Sequence, residues 1–272
     1  MQQISVARLF DGQNWQQNVT LEIEAGRIHA IYPADGDVLA GTLVPGFIDV
    51  QVNGGGGALF NTDTSIEALR TMVKAHAQFG STALLPTVIT DSVVIAQAIA
   101  TEEPGVLGVH FEGPHLSVPK RGVHPQNFIR PLSEAELAIY RRTDLGIKLV
   151  TVAPETISAD QIKELVKAGV IVCLGHSNTD AATVQAALAA GAKGFTHLYN
   201  AMSPLTSREP GVVGAALADP HSWCGVILDG LHVHPLALKV ALAAKPKGKL
   251  LIVTDAMSPV GTSQTEFDFF DG

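Results

Sequence analysis

The feature that most restricts this chain is a repeated texture. After Pro45-Gly46, eight apolar, strand-like runs follow one another, most of them separated by Ala-rich segments with helical spacing. They are GFIDVQV (46–52), TALLPTVIT (82–90), VLGVHFEG (106–113), IKLVTVAP (147–154), VIVCLGHS (170–177), GFTHLYN (194–200), WCGVILDG (223–230) and KLLIVTDA (249–256). Helices are predicted over 65–80, 92–100, 133–142, 160–169 and 180–191. Ser133 and Glu136 have capping-box spacing, and Gly80, Gly169 and Gly191 stand where helices stop. Eight strand–helix alternations have one obvious closed solution. It is an α/β fold, the (β/α)8 TIM-like barrel, with parallel strands whose C-terminal ends carry the chemistry. A doubly wound open sheet is the competing architecture. The barrel is preferred because polar residues collect at many strand ends rather than at one switch point.

Residues 1–44 read differently. Short alternating runs at 4–10, 19–23 and 27–31, broken by Asp11-Gly12, Ala25-Gly26 and Asp35-Gly36, predict a small antiparallel β unit. The expected division is therefore 1–44 and a barrel over 45–272. After Ala256 too little chain remains for a closing helix and for partner strands to the first unit, so a C-terminally shortened form of a longer protein is expected.

Composition narrows the function. With 272 residues, 46% of them apolar, the chain can bury one large core or two modest ones, and disorder is excluded as its main state. The formal charge of −8 argues against a protein whose main business is gripping nucleic-acid phosphates, so an anionic ligand must be held by a local positive site. The two cysteines, Cys173 and Cys224, form neither a disulfide framework nor a CxxC site. The first residues lack the pattern of an export signal, and no run approaches ~18 apolar residues, so a soluble, cytoplasmic protein without membrane partners is expected.

Period-two alternation puts His110 and Glu112 on one face of the third run, with Val109 and Phe111 on the other. The same count groups Val172, Leu174 and His176 on one face of the fifth run and Phe195, His197 and Tyr199 on one face of the sixth. It turns Leu251, Val253 and Asp255 inward on the eighth. Glu112, His176, His197 and Asp255 are thus expected to converge at the C-terminal mouth. Two histidines and one carboxylate, with a fourth position open to water, form the ligand set of a catalytic divalent-metal site and leave Asp255 available as a base. Taken singly, each of these residues is more often structural than a ligand or base.

His124, in the Pro-flanked loop RGVHPQ, reads equally well as an exposed loop histidine. His232 and His234 could form a second metal site or a substrate clamp, while His29, His76, His115 and His221 keep structural readings. Nucleotide and nucleophile motifs fail: there is no GxGxxG, no GxxxxGK[ST], no nucleophile elbow and no HExxH. The glycines at 54–57 fit plain loop geometry and ligand access equally.

Six segments in order, PGFIDVQVNGGGG, HFEGPHL, GHSNTDA, THLYNAMSPL, LDGLHVHP and VTDAMSPVG, resemble the signatures of the N-acetylglucosamine-6-phosphate deacetylases of the amidohydrolase superfamily, over about Pro45 to Gly261. The resemblance implies a metal-dependent barrel that removes acetate from N-acetylglucosamine 6-phosphate. It also implies a small β-sandwich built from both chain ends, of which 1–44 would be the N-terminal part. By position it implies that Glu112, His176 and His197 hold the metal, that Asp255 is the general base and that His124 orients or polarises the amide carbonyl. Asn200, the Ala201 N–H, Arg208 and His232 would hold the sugar phosphate, with help from a second subunit of a homodimer. Many amidohydrolases carry His-x-His on the first strand as half of a second metal site. Here Gln51-Val52-Asn53 stands there, and Lys148 lies at the wrong end of the fourth strand to bridge two metals. One ion is implied, Zn2+, with Fe2+ suited to the same ligands. Two other readings stay open: a barrel acting on an N-acyl amino acid or cyclic amide, and a sugar-phosphate-binding or regulatory protein descended from such an enzyme.

Overall fold

The computed structural model describes residues 1–90 and 103–267, and the helix expected over 92–100 lies outside the described residues. The chain divides into two compact units, Met1–Phe47 and Ile48–Gly272.

The first unit contains β1 (Gln2–Phe10), β2 (Trp15–Glu24), β3 (Arg27–Pro33) and β4 (Leu39–Leu43), in the sheet order β3-β2-β1-β4. β1–β2 and β2–β3 are antiparallel hairpins, the second turning at Ala25-Gly26, where both residues take positive φ. The expectation of a purely antiparallel unit is corrected by β4, which runs parallel to β1. β2 is already flanked on both sides, so the chain leaving β3 finds the free hydrogen-bonding edge of β1 and enters it in the same direction. Val6, Leu9, Val19 and Leu21 form the unit's buried cluster.

The second unit is built on β5 (Phe47–Val52), β8 (Ser81–Ile89), β9 (Gly108–Glu112), β10 (Ile147–Val152), β11 (Val170–Leu174), β12 (Gly194–Phe195), β13 (Trp223–Ile227) and β14 (Leu250–Val253), which pair in that order. The pairings recorded from β8 through β14 are parallel. A two-stranded ribbon, β6 (Gly54–Gly55) and β7 (Ala58–Leu59), follows β5. The eighth strand returns to the first: the Asp255 N–H donates to Gln51 O (3.0 Å), and the Asn53 and Gly54 N–H groups both donate to Ala256 O (2.9 Å). All eight predicted runs contribute a strand to this barrel.

Helices α1 (Ile66–Ala77), α2 (Glu134–Tyr140), α3 (Ala159–Lys167) and α4 (Ala181–Ala189) lie within the predicted ranges or one residue beyond them, and α5 (Gly211–Ala218) and α6 (Pro235–Ala244) were not anticipated. Starts are fixed by side-chain caps: Ser65 for α1, Asp180 for α4, and full capping boxes, Ser133 with Glu136 and Ser158 with Gln161, for α2 and α3. α5 and α6 lack acidic residues in their first turn, and α5 has no side-chain cap, so the usual start signals are weak.

Strand alternation holds on β9, where Val109 and Phe111 join the large core packed with helix residues such as Leu69 and Leu165. Beyond β11 and β12 it does not extend to the histidines. Val172, Leu174 and Phe195 belong to that same helix-side core, whereas Cys173 packs with Leu85 and Leu149 in a separate small cluster and Thr196 bonds Thr151 (Oγ1 to Oγ1, 2.6 Å). His176 and His197 therefore do not share a strand face with the residues grouped with them above. They reach the mouth because both strands have ended and the backbone turns through positive φ, 48° at His176 and 33° at His197. Tyr199, also at positive φ, donates its hydroxyl to Ala237 O and packs against the core instead of joining His197.

Lys148, second in β10, is buried and donates to three carbonyls, Tyr140 O and Arg142 O (both 2.7 Å) and Ala168 O (3.1 Å), at the C-terminal ends of α2 and α3. Its role is to satisfy helix ends. Lys148→Met should strand these acceptors and lower unfolding free energy by about 2 kcal/mol. Urea melts would read this as a lower midpoint at unchanged slope, and an unmoved midpoint would contradict the assignment.

Candidate metal centre

Glu112, the last residue of β9, is 2% exposed, and its Oε1 lies 3.2 Å from His176 Nε2 and 3.0 Å from His197 Nε2. The two Nε2 atoms are 3.1 Å apart. Three donor atoms from three strand ends thus converge on one buried point, a group that could hold a metal ion. His176 Nδ1 lies 2.8 Å from Lys120 O. A carbonyl can only accept, so the ring proton sits on Nδ1 and the Nε2 lone pair faces the cluster, the orientation a metal ligand needs. His197 Nδ1 is buried without a hydrogen-bond partner.

Burial alone would raise the Glu112 carboxyl, but the His176 and His197 imidazoles beside its oxygen overcome it and hold the group well below the usual carboxylate range. Burial likewise opposes charge on His197, yet the Glu112 carboxylate raises that imidazole to about 9. A site that draws a proton this strongly into a carboxylate–imidazole cluster offers the same lone pairs to a divalent cation. One carboxylate and two imidazoles suit zinc or iron(II).

Two residues that carried no predicted role, at the end of β5 and just after it, brace the cluster. Gln51 Nε2 donates to Glu112 Oε1 (3.2 Å), and Asn53 Nδ2 donates to Asp255 Oδ1 (2.6 Å). The sequence displayed them as departures from His-x-His, and their amides indicate the alternative use. Asp255, at φ 51°, is half-buried, and burial together with the Glu112 charge raises its carboxyl above the ordinary range. The reading of His124 as an exposed loop histidine is corrected: it is 2% exposed, its ring lies 4.4 Å from that of His176, and burial pushes it down to about 3. Its Nδ1 sits 2.8 Å from Thr90 Oγ1, and the Thr90 N–H donates to the same atom. The segment after β12 is tied to the neighbouring strand β13, as the Leu198 N–H donates to Gly225 O (2.7 Å).

A cavity of about 390 Å³ opens over these groups and is also lined by Asn53, Asn200, Ala201 and His232. The Asn200 Nδ2 is buried without a partner, a donor left for a ligand. His232 Nδ1 pairs with Asp229 Oδ2 (2.6 Å), while the Leu231 and His232 N–H groups, with the His232 ring, hold the Asp229 carboxyl down to about 2. His234 instead accepts the Leu236 N–H as the cap of α6, so the two histidines do not act as a pair. Arg208 is exposed and is not among the residues lining the cavity. Nor are Gly54 and Gly55: a Cβ on Gly54 would meet Ala58 O at 2.5 Å, and one on Gly55 would meet His76 Nε2 at 2.9 Å, so close packing demands them.

A parallel barrel whose strand ends gather a carboxylate and two imidazoles around a cavity has the layout of a catalytic divalent-metal site. The chain is a member of the amidohydrolase family, whose pattern matches residues 42–258. It is 57% identical over 241 residues to an N-acetylgalactosamine-6-phosphate deacetylase of Shewanella sp. (strain ANA-3), covering 86% of this chain and 61% of that protein. It is 37% identical over 280 residues to an N-acetylglucosamine-6-phosphate deacetylase of Vibrio furnissii, covering 96% of this chain and 70% of that one. The crystal structure of N-acetylglucosamine-6-phosphate deacetylase from Pasteurella multocida superposes with a TM-score of 0.89 at 34% identity, covering 98% of this chain and 75% of that chain. The chain thus spans only 61% of the length of the Shewanella relative. No helix among the described residues is long and apolar enough to cross a membrane.

Replacing His176 or His197 with Ala should cut the divalent metal that co-purifies, read by plasma mass spectrometry, at least about tenfold, with far-ultraviolet dichroism unchanged. Full metal content in both variants would remove these rings from the ligand set.

Proposed function

We propose that the chain hydrolyses the acetamide of N-acetyl-D-glucosamine 6-phosphate, giving D-glucosamine 6-phosphate and acetate. The observation that carries this is the convergence of Glu112 Oε1, His176 Nε2 and His197 Nε2 within 3.2 Å of one another, under a cavity that Asp255 and His124 also line. The names of the relatives above support the substrate class. A second reading, the C4 epimer N-acetyl-D-galactosamine 6-phosphate, is favoured by one observation: the Shewanella relative at 57% identity bears that name, whereas the Vibrio relative stands at 37%.

Glu112, His176 and His197 would hold one divalent cation, Zn2+ by donor set with Fe2+ suited to the same ligands, which when bound supplies a water of lowered pKa and polarises the acetyl carbonyl. Asp255, with its raised carboxyl steered by Asn53, takes the proton of the attacking water and returns it to the nitrogen as the C–N bond breaks. His124 hydrogen-bonds the carbonyl oxygen as it gains charge. Asn200 Nδ2, the Ala201 N–H and His232 would bind the sugar phosphate, and Arg208, outside the cavity lining, would add bidentate hydrogen bonds to it from its exposed loop. The protein is inferred to be cytoplasmic and to work as a homodimer or higher homo-oligomer.

Acetate release from the two phosphorylated epimers and from unphosphorylated N-acetylglucosamine tests the reading. Turnover of a phosphorylated epimer at a much higher kcat/KM than the free sugar is expected, and the ratio between epimers decides the sugar. Equal rates with and without phosphate would refute the substrate class. Asp255→Asn should retain metal and lose about 100-fold or more in kcat. Retained metal with near-normal turnover would remove Asp255 from the chemistry. Arg208→Lys should raise KM for the phosphorylated sugar, because a lysine cannot reproduce the bidentate contact, and an unchanged KM would count against Arg208.

A further inference from the structure

We infer that Thr90 is a positioning residue that locks the His124 ring in the tautomer carrying its proton on Nε2, which makes the imidazole a hydrogen-bond donor toward the acyl oxygen. The inference rests on the role proposed for His124 above.

Both recorded neighbours of His124 Nδ1 come from one residue. The Thr90 backbone N–H donates to it at 3.3 Å, and Thr90 Oγ1 lies 2.8 Å away. An amide nitrogen can only donate, so Nδ1 must present its lone pair. A proton on Nδ1, in the other neutral tautomer or in the imidazolium, would point at the amide hydrogen. The single ring proton of the neutral form therefore belongs to Nε2. The hydroxyl has one proton and two acceptors in reach, His124 Nδ1 at 2.8 Å and Glu112 O at 3.3 Å, and the shorter contact assigns it to the ring.

The surroundings hold this arrangement in place. Thr90 and His124 are both 2% exposed. Residue 113 is glycine where a Cβ would stand 2.1 Å from Thr90 Oγ1, so space for the hydroxyl depends on that glycine. The His124 backbone is tied at both ends to Arg121, whose carbonyl takes its N–H (3.0 Å) and whose guanidinium donates to its carbonyl (3.1 Å).

The consequence appears beside His176. The two rings are 4.4 Å apart, and the backbone gives them opposite tautomers: the Lys120 carbonyl draws the proton of His176 to Nδ1, and the Thr90 amide drives that of His124 to Nε2. One carbonyl and one amide thus sort two adjacent imidazoles into a lone-pair ligand and a proton donor. The wrong tautomer at His124 would aim a lone pair at an acyl oxygen that is itself an acceptor.

Long-range 1H–15N spectra of the histidine rings in the metal-loaded full chain read the tautomer directly. The His124 resonances should report an unprotonated Nδ1 and a protonated Nε2, and a ring protonated on Nδ1 would overturn the proposal without any variant. Thr90→Val keeps shape and the amide but removes the hydroxyl. Only the longer 3.3 Å amide contact then remains to favour Nε2 in place of the 2.8 Å hydroxyl, so the tautomers should mix in the spectrum and kcat should fall about tenfold, with KM and metal content unchanged. Thr90→Ser should restore both. Wild-type kcat and an unaltered ring spectrum in Thr90→Val would refute the lock, and if that variant does not fold, the wild-type spectrum decides. His124→Gln at wild-type turnover would sink the role given to His124 and this inference with it. An Nδ1-protonated wild-type ring sinks only the lock and leaves that role standing.

Discussion

Closure of the barrel is the constraint on which everything else depends. The hydrogen bonds that join the residues after the last strand to β5, Asp255 N–H to Gln51 O and Asn53 N–H to Ala256 O, are ordinary backbone contacts. They nonetheless set the positions of Asp255 and Asn53 against each other across roughly two hundred residues of chain. Gln51, on the same strand, then reaches Glu112. Were the sheet open at this seam, Asp255 would sit on a free edge and the carboxylate of Glu112 would lose the amide that fixes its oxygen. An edge strand also presents unpaired backbone to other chains, a hazard that ring closure removes.

Inside that ring the site is held in electrostatic tension. A carboxylate buried to 2% exposure is costly unless it is paired and hydrogen-bonded, and here an amide and two imidazoles meet one of its oxygens. The charges are matched within the cluster, but three donors aimed at a common point are a poor arrangement for protein groups alone. The same layout is what a cation prefers. His110, directly below on β9, belongs to the scaffold: its Nε2 contacts Thr151 (2.7 Å), its Nδ1 contacts Val50 O (3.1 Å), and burial pushes it down to about 4, so it adds no positive charge beneath the cluster.

The count of strands, the barrel and the residues gathered at its mouth were legible because apolar runs and turn glycines follow from burial and backbone geometry, both of which leave marks in composition. The way His176 and His197 reach the mouth was not. Alternation along a strand applies only while the strand lasts, and β11 and β12 end before the histidines, at residues whose left-handed φ has no signature in a non-glycine side chain. β4 escaped notice since its five residues, LAGTL, bury little and lie against β1 by edge availability rather than by pattern. Gln51, Asn53 and Thr90 were invisible for a further reason: each acts through a hydrogen bond to a residue distant in sequence, at 112, 255 or 124, and amide and hydroxyl side chains are too common to single out.

The left-handed backbone at His176, His197 and Asp255 limits how this mouth can change. Asparagine, aspartate, histidine and glycine tolerate that conformation, whereas branched side chains pay for it, so the alphabet open to drift at these positions is short whatever the chemistry demands. Libraries seeking new reactivity would gain more from randomising the cavity wall at Asn200, Ile227 or Met257, where the backbone imposes no such filter.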